Sequence, residues 1–228
     1  MSEVRDILKA ALPQADERAL DRFEIYHRLL AEWNEKMNLT AITDPVEVAQ
    51  KHFADSLAAL PYLKAGMQVI DVGTGAGFPG VPLLIIMPEL KLTLADSLNK
   101  RLTFLEALLQ ELGLQAELVH GRAEDLGQNR LYRERYDVAL SRAVANLPVL
   151  LELTTPFVKV GGMAIAYKGD GAEELKNAKS AAFLLHVQLR TVELDSPLGK
   201  RCLIFADKKA PTPKQYPRKA GTPNKKPL

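Results

Sequence analysis

Residues 69–80 have the sequence VIDVGTGAGFPG, a short apolar run that leads directly into a glycine-rich loop. Glycine is favoured where the backbone turns with a positive φ angle or where a ligand touches it. The pattern therefore predicts a buried strand, a tight turn and then a helix. In doubly wound α/β sheets such a turn lies at the carboxyl end of its strand, where ligands bind. Glycines that only make the turn are the less favoured alternative, because the acidic Asp71 stands just before them.

Short apolar runs alternate with longer helical patterns along the rest of the chain. Alternating strands and helices predict a parallel sheet, and the lack of a helical pattern between the last two runs predicts an antiparallel hairpin. The predicted fold class is therefore α/β, with a doubly wound, Rossmann-like sheet. The predicted strands are 68–72, 91–95, 115–120, 137–141, 162–168, 187–194 and 201–206, and the predicted helices are 79–87, 100–112, 147–155 and 172–185.

Before residue 65 the sequence predicts helices only, at 4–12, 16–37 and 44–60, with apolar residues at helical spacing. We expect these apolar stripes to pack on the α/β body rather than on a partner. The predicted organisation is therefore a helical cap at 1–64, an α/β domain at 65–207 and a C-terminal tail at 208–228.

The tail is rich in proline and in basic residues. Its seven lysines and arginines have no acidic counterpart, which leaves 23 basic and 28 acidic residues in the other 207 positions, a net charge of −5. A basic tail suggests a polyanionic partner, because each neutralised phosphate of a nucleic acid releases a counterion. A merely solvated terminus is the alternative. Without apolar periodicity the tail cannot build its own core, so we expect it to wrap over the body or to become ordered on a ligand.

Composition and cysteine usage exclude several classes of protein. The longest apolar run, residues 81–87, is far too short to cross a bilayer, so we expect no membrane span. The single cysteine, Cys202, cannot form an internal disulfide, and no signal-peptide pattern opens the chain, so we expect a cytoplasmic protein. The four histidines lack ligand spacing, and with no cysteine cluster beside them we predict no metal site.

Two kinds of ligand compete for the glycine loop. Residues 75–80 (GAGFPG) match the dinucleotide fingerprint, and Asp96 follows near the spacing expected for an acid that binds a ribose. Residues 71–77 (DVGTGAG) instead match the loop that binds S-adenosylmethionine. A carboxylate at Asp71 would repel a pyrophosphate but attract a sulfonium and an ammonium group, so the methyl donor is favoured. A nicotinamide-dependent oxidoreductase is the alternative.

Acidic residues at later strand ends agree with a methyl donor. Asp96-Ser97 ends the second predicted strand, where a carboxylate can accept hydrogen bonds from both ribose hydroxyls. Residues 121–125 (GRAED) follow the third strand, where polar and backbone groups can contact an adenine edge. Each acid alone is more often a solvated loop residue. Acids at three successive strand ends beside the glycine loop nevertheless point together to S-adenosylmethionine.

The end of the fourth predicted strand, residues 141–144 (SRAV), bears on the methyl acceptor. It lacks the Asn/Asp-Pro-Pro-aromatic tetrad that binds an exocyclic amine, and no cysteine accompanies it to attack a pyrimidine ring. Cys202 lies within a predicted strand, where we expect a buried structural thiol. Guanine N7 carries no proton and needs only correct placement, so the chemistry permits N7 without proving it. Arginines near such a base would hold O6 or phosphates rather than act as bases.

Motifs along nearly the whole chain resemble the RsmG family, formerly called GidB, of bacterial 16S rRNA guanine-N7 methyltransferases. GFPG in the loop and YPR in the tail are specific, whereas DxGxGxG marks only the superfamily. The resemblance implies a class I S-adenosylmethionine-dependent fold with a seven-stranded, mostly parallel sheet. It also implies a substrate in the 530 loop, and low-level streptomycin resistance when the activity is lost. The motifs are residues 38–42 (NLTAI), 52–57 (HFADSL), 71–80, 96–97, 100–101, 141–143, 168–169 and 216–223 (YPRKAGTP).

Carried over position by position, the resemblance implies site residues of three kinds. The expected partner is 16S rRNA or the 30S subunit, with no stable protein partner, a monomeric chain and S-adenosylhomocysteine as product. A non-catalytic RNA-binding or assembly factor with a relic pocket is the remaining alternative, and Arg201 could equally be an edge-strand charge that prevents aggregation. Cofactor contacts are expected from Gly73, Phe78, Asp96, Ser97, Ala123, Glu124 and Arg142, and the loop motif adds Asp71, Gly75 and Gly77. Catalytic roles are expected for Arg122, Arg142 and Arg201. RNA contacts are expected for Arg201, Lys168, Arg218 and Lys219.

Overall fold

The structure, a computed structural model, describes residues 3–195 and 199–228. None of the helices in these two ranges is both long and apolar enough to span a membrane. The strands are β1 Gln68–Val72, β2 Lys91–Asp96, β3 Glu117–His120, β4 Tyr136–Arg142, β5 Val158–Lys168, β6 Val187–Leu194 and β7 Arg201–Lys208. The α-helices are α1 Glu3–Ala11, α2 Glu17–Met37, α3 Pro45–Glu47, α4 Gly80–Ile86, α5 Asn99–Leu112, α6 Ala123–Gln128, α7 Leu147–Thr154, α8 Ala172–Asn177, α9 Lys179–Leu184 and α10 Thr222–Lys225.

The strands form a seven-stranded sheet in the order β3-β2-β1-β4-β5-β7-β6. The pairs from β3 through β5 are parallel, whereas β7 is antiparallel to both β5 and β6. This confirms the predicted doubly wound α/β fold and its closing hairpin. The chain changes direction of winding between β1 and β4, so the carboxyl ends of these two strands flank the crevice where such sheets bind ligands.

The N-terminal helices pack on the α/β body through α2, which contacts helices α4 and α5. Asp16 caps α2 by accepting a hydrogen bond from Ala19 N. Phe23 and Tyr26 are fully buried, and their rings lie 5.0 and 5.1 Å from the ring of Phe53. Residues of this cap and of the α/β body belong to one apolar core, which confirms the expected packing of the helical stripes.

Two predicted helices were wrong in form. The predicted helix 44–60 consists of the short α3, a π-helical segment Val48–Ala54 and a 3-10 segment Leu57–Tyr62 that contains Pro61. Because proline lacks a backbone N–H, a regular α-helix does not continue through it. The predicted helix 172–185 is divided into α8 and α9, and α8 ends at Asn177, a residue type of low helix propensity. The short helices α6 and α10 were not predicted.

The basic tail wraps over the body, the first of the two expected possibilities. Arg133 donates hydrogen bonds to three carbonyl oxygens of the tail, the shortest at 2.7 Å. Arg218 pairs at 2.6 Å with Glu152, whose side chain is fully buried. Lys208, at 2% exposure, donates to backbone carbonyl oxygens that include that of Thr155. Two of the tail's basic side chains are therefore engaged within the chain itself.

Candidate functional site

Asp71 is hydrogen-bonded to the glycine loop that connects β1 to α4. Its side chain is fully buried, and its Oδ2 accepts hydrogen bonds from Thr74 Oγ1 at 2.8 Å and from Gly80 N at 2.9 Å. Burial raises the pKa of this carboxyl to about 6, although the two hydrogen bonds and Arg142 act in the opposite direction. Asp71 therefore joins both ends of the loop, and its full burial does not fit the expected direct attraction between its carboxylate and a ligand.

The loop requires glycine for two reasons. Gly73, Gly75 and Gly77 have φ angles of 72°, 62° and 98°, a region that other residues rarely adopt. At Gly77 a Cβ atom would also lie 2.7 Å from the hydroxyl oxygen of Tyr26. That hydroxyl donates a hydrogen bond to Ala76 O, so the loop is packed directly against α2.

A cavity of about 300 Å³, the glycine-loop cavity, lies at the carboxyl ends of β1, β2 and β3. Two further residues complete its wall: Val144, in the segment after β4, and Asn224, in the C-terminal helix α10. The structure thus brings together residues from three strand ends, as the sequence predicted. The predicted site residues that line it are Gly73, Asp96, Ser97, Arg122, Ala123 and Glu124.

Asp96 is a buried carboxylate of the glycine-loop cavity, with 2% of its surface exposed. Its Oδ2 accepts a hydrogen bond from Gly75 N and its Oδ1 from Leu98 N, both at 2.9 Å. Arg101 Nη1 lies 3.2 Å from Oδ2, and 36% of the arginine side chain is exposed. Because a carboxylate has about four acceptor positions, the backbone fixes its orientation while Arg101 can give way to another donor, such as a hydroxyl.

A second cavity of about 360 Å³, the arginine cavity, lies beside the ends of β4 and β5. Arg142 Nη1 donates to Asp55 Oδ2 at 3.1 Å and to Lys51 O at 3.0 Å. Arg201 Nε lies 3.4 Å from Asp55 Oδ1. One carboxylate, its side chain only 8% exposed, is therefore shared by two guanidinium groups.

His52 lines the arginine cavity as a neutral ring. Arg142 Nη2 lies 3.1 Å from His52 Nδ1 and can only donate, so Nδ1 is an acceptor. The proton is consequently on Nε2, which donates to Thr40 Oγ1 at 2.8 Å. Burial, and then the positive charge of Arg142, lower the pKa of His52 to about 4. At neutral pH the ring has no lone pair available for proton abstraction.

Phe78, the residue after the last loop glycine, connects the loop to the arginine cavity. Its ring stacks on those of Tyr26 and His52, with centroids 5.3 and 4.5 Å apart. The guanidinium carbon of Arg142 lies 5.0 Å from the Phe78 centroid, within the range of cation–π attraction. The ring thus packs against two of the polar side chains of the arginine cavity, His52 and Arg142.

The two cavities meet at Ala143, which lines both. Its φ angle of 57° is left-handed, a conformation that costs a non-glycine residue roughly 1–2 kcal/mol. On either side of Ala143, Arg142 lines the arginine cavity and Val144 lines the glycine-loop cavity. Ligands bound in the two cavities would therefore both lie beside Ala143 at the end of β4.

The residues that line the arginine cavity include cations but no available base. Asp55 is shared by two arginines, His52 uses both ring nitrogens, and the Tyr167 hydroxyl donates to Ser56 O at 2.6 Å. Burial raises the pKa of the Cys202 thiol, which keeps it protonated at neutral pH. Because none of the described residues that line it is free to accept a proton, the cavity suits an electron-rich group that needs no deprotonation.

A larger cavity, of about 1220 Å³, opens at the opposite edge of the sheet, near Lys91 and Tyr136. It lies at the amino ends of the strands, whereas doubly wound sheets bind ligands at the carboxyl ends, so we do not assign it to the reaction. In the parts of the chain that the structure describes, no cluster of three or more His, Cys, Asp or Glu side chains is placed to hold a metal ion.

Comparison with known proteins identifies the family. The GidB family, described as rRNA small subunit methyltransferase G, matches residues 19–200. The chain belongs to this family. A relative from Acetivibrio thermocellus, named ribosomal RNA small subunit methyltransferase G, is 49% identical over 218 residues and covers 93% of this chain and 90% of its own. A relative of the same name from Staphylococcus aureus is 50% identical over 222 residues, which are 94% and 92% of the two chains.

Solved structures that are similar to this GidB-family chain agree with the fold. A methyltransferase from Pyrococcus furiosus has a TM-score of 0.59 at 16% identity, over 82% of this chain and 98% of that one. The fibrillarin pre-rRNA processing protein from Methanococcus jannaschii has a TM-score of 0.52 at 16% identity, over 64% and 68% of the two chains. At such low identity these likenesses show the methyltransferase type of α/β fold and nothing further.

The structure distributes the predicted arginines and lysines of this GidB-family chain among different places. Arg142 and Arg201 meet at one carboxylate, whereas Arg122 lines the glycine-loop cavity. Lys168 lines the arginine cavity, where its Nζ lies 2.7 Å from a Glu174 oxygen. Lys219 is exposed on the tail, away from both cavity linings.

Sequence reasoning did not foresee three residues of the two cavities. His52 and Asp55 were present in the HFADSL motif, but nothing in that motif indicates contact with residues 142 and 201. Asn224 lies in a tail that was interpreted only as basic and proline-rich. For Asp55, the sequence signal is that the arginines implied by the family resemblance need an acidic partner and that the HFADSL motif contains one.

Proposed function

We propose that the chain transfers the methyl group of S-adenosylmethionine to N7 of a guanine in the 530 loop of 16S rRNA, with S-adenosylhomocysteine as product. The observation that carries the proposal is the meeting of two unlike cavities at Ala143. The name of the relatives supports small-subunit rRNA as the substrate. The resemblance of the motifs to the RsmG family supports the N7 position and the 530 loop.

The glycine-loop cavity fits the methyl donor. We assign Asp96 to the ribose hydroxyls and residues 121–124 to the adenine, and their presence in the lining of the cavity supports the assignment. Gly73 contributes loop backbone to the wall, and a Cβ atom there would lie 2.6 Å from Val144 Cγ2, so that point of the wall is fully packed. S-adenosylmethionine supplies, when bound, an electrophilic methyl group on a sulfonium.

The arginine cavity fits a guanine or its phosphate. Arg142 and Arg201 hold O6 or a phosphate oxygen and leave N7 free, since a bidentate contact across O6 and N7 would block the methylated atom. Asp55 offsets the positive charge that develops on the base as N7 is methylated. No residue needs to abstract a proton, so the chain contributes mainly placement and orientation of the two reactants.

Contacts to the rest of the RNA come from basic side chains outside the reaction centre. We assign them to Lys168, to Arg122 at the neighbouring cavity and to the exposed Lys219 of the tail. Arg218 contributes by anchoring the tail, because its side chain is committed to Glu152. The proposal includes a cytoplasmic monomer that acts on 16S rRNA or the 30S subunit.

The proposal is tested by mapping N7-methylguanosine in 16S rRNA from a strain that lacks the gene. We expect one such nucleotide, in the 530 loop, to disappear and to return with the wild-type chain but not with Arg142→Met. Asp170→Asn, which removes an exposed ion pair with Lys200, serves as the control that restores methylation. A deletion strain that keeps its full set of N7-methylguanosines would overturn the proposal.

A further inference from the structure

The C-terminal tail reaches the glycine-loop cavity and contributes to its wall. Asn224, on α10, lines the cavity together with Leu153 of α7. Glu124, which is 5% exposed, accepts a hydrogen bond from Gly221 N at 2.8 Å, just before α10 begins. The position of Asn224 therefore depends on a contact between the tail and the segment that follows β3.

A second contact fixes the tail on both sides of Asn224. Arg218 donates from its backbone N, Nε and Nη2 to the carboxylate of Glu152, at distances of 2.6 to 3.2 Å. The same Nη2 donates to Lys226 O at 2.8 Å, so the chain before and after α10 is tied to one guanidinium group. Since Glu152 is fully buried in α7, this anchor is part of the α/β body.

The anchoring changes which side chain can recognise a ligand at this end of the cavity. Glu124 was expected to contact the adenine of the methyl donor, but one of its oxygens is used by Gly221 N. Asn224 is exposed and carries one amide donor group and one carbonyl acceptor. An asparagine amide matches the adjacent amino donor and ring-nitrogen acceptor of adenine, and Leu153 offers an apolar surface for the ring.

We propose that the C-terminal segment is part of the cofactor site, with Asn224 recognising the adenine edge of the methyl donor. Glu152 acts as a positioning residue, because it reaches the ligand only through the tail. Glu124 lines the cavity and also positions the tail, through its hydrogen bond with Gly221 N. This inference rests on the proposed use of S-adenosylmethionine. It assigns the tail a role in binding the cofactor in addition to any contact with RNA.

The test is calorimetric titration of the full-length chain with S-adenosylhomocysteine. We expect Asn224→Ala to raise the Kd about tenfold, the usual effect of losing hydrogen bonds of this kind. Lys225→Ala is the matched control, because Lys225 is the exposed neighbour in α10 and does not line the cavity; its Kd should stay within twofold of wild type. A Kd for Asn224→Ala that also stays within twofold of wild type overturns the inference.

A second ligand separates recognition from simple wall-building. S-inosylhomocysteine carries a carbonyl in place of the adenine amino group, so wild type should bind it more weakly than S-adenosylhomocysteine. In Asn224→Ala the ratio of the Kd for S-inosylhomocysteine to the Kd for S-adenosylhomocysteine should be smaller than in wild type. If the variant bound both ligands more weakly by the same factor, the assigned recognition would be overturned. If wild type binds neither ligand, the proposed function fails and this inference fails with it. If wild type binds S-adenosylhomocysteine but Asn224→Ala has the same ratio of the two Kd values as wild type, only this inference fails.

Discussion

The glycine-loop cavity and the arginine cavity lie side by side at one edge of the sheet, yet they are held together by different interactions. In the first, backbone N–H groups of Gly75 and Leu98 orient the carboxylate of Asp96. In the second, side chains orient side chains, because Arg142 and Arg201 share Asp55. A site oriented by backbone amides survives the loss of a distant side chain, whereas a site built on one shared carboxylate should fail as a unit.

The largest effect is expected where that shared carboxylate is removed. Asp55→Ala leaves two partly buried guanidinium groups without their counter-ion, and we expect kcat to fall at least a hundredfold. The free energy of unfolding should fall by about 3 kcal/mol, the usual cost of breaking a buried pair. Methyl transfer to 30S subunits and urea unfolding measure the two effects.

Asp55→Ala should leave the glycine-loop cavity intact. The Kd for S-adenosylhomocysteine should stay within twofold of wild type, because Asp55 does not line the glycine-loop cavity. Asp170→Ala removes an exposed ion pair with Lys200 and should leave the free energy of unfolding close to that of wild type. Equal loss of methyl transfer and of ligand affinity in Asp55→Ala would show that the two cavities are not independent.

The converse change is Asp96→Asn in the glycine-loop cavity. It removes a charged acceptor for hydroxyl donors, a contribution of about 1.5–3 kcal/mol, so the Kd for S-adenosylhomocysteine should rise roughly 10- to 100-fold. Affinity for 16S rRNA should not change, because Asp96 is buried beside the loop. Filter binding of labelled rRNA, run beside calorimetry, would reveal an unexpected loss of RNA affinity.

The two regions should also respond to pH with opposite signs. The pKa of His52 is lowered to about 4, so its contribution to stability is complete above about pH 6.5 and is lost as the pH falls. The pKa of Asp71 is raised to about 6, so its contribution is complete below about pH 4 and is lost as the pH rises through 6.

Urea unfolding between pH 4 and 7 checks both signs. Compared with wild type, His52→Gln should lose less stability as the pH falls from 6.5 to 4, and Asp71→Asn should lose less as the pH rises from 4 to 6. Histidine NMR should show His52 as the neutral Nε2–H tautomer at pH 6. Two variant profiles that run parallel to that of wild type would contradict the assignment.

The smallest effect is expected from the exposed lysines of the tail. Lys209, Lys214 and Lys219 are exposed, so replacing all three with alanine should flatten the dependence of log K for rRNA on log salt concentration by up to about 2. Affinity for S-adenosylhomocysteine should not change. The control is Lys64→Ala, an exposed lysine outside the tail. An unchanged salt slope in the triple variant would exclude the tail lysines as phosphate contacts.

The parts of the fold that could be predicted are those with a strong local pattern. The apolar run before Gly73 and the acidic residue at 96 identify β1, β2 and the ligand edge, because strand ends and glycine turns are encoded by adjacent residues. The predicted helix 44–60 was wrong because its apolar stripe carries no sign of the π-helical turns at Val48–Ala54. Those turns bring His52 to Arg142, a contact across 90 positions of the chain.

Local sequence was therefore sufficient for the fold class and for the glycine loop, since each depends on periodicity or on residues that follow one another. The shared carboxylate at Asp55 and the anchoring of the tail by Glu152 depended on packing. Both are contacts between side chains that are distant in sequence, and a charge pattern along the chain does not state which opposite charges become neighbours. The tail, which carries seven basic residues and no acidic one, is bound to the body because a buried carboxylate stabilises its single arginine, Arg218.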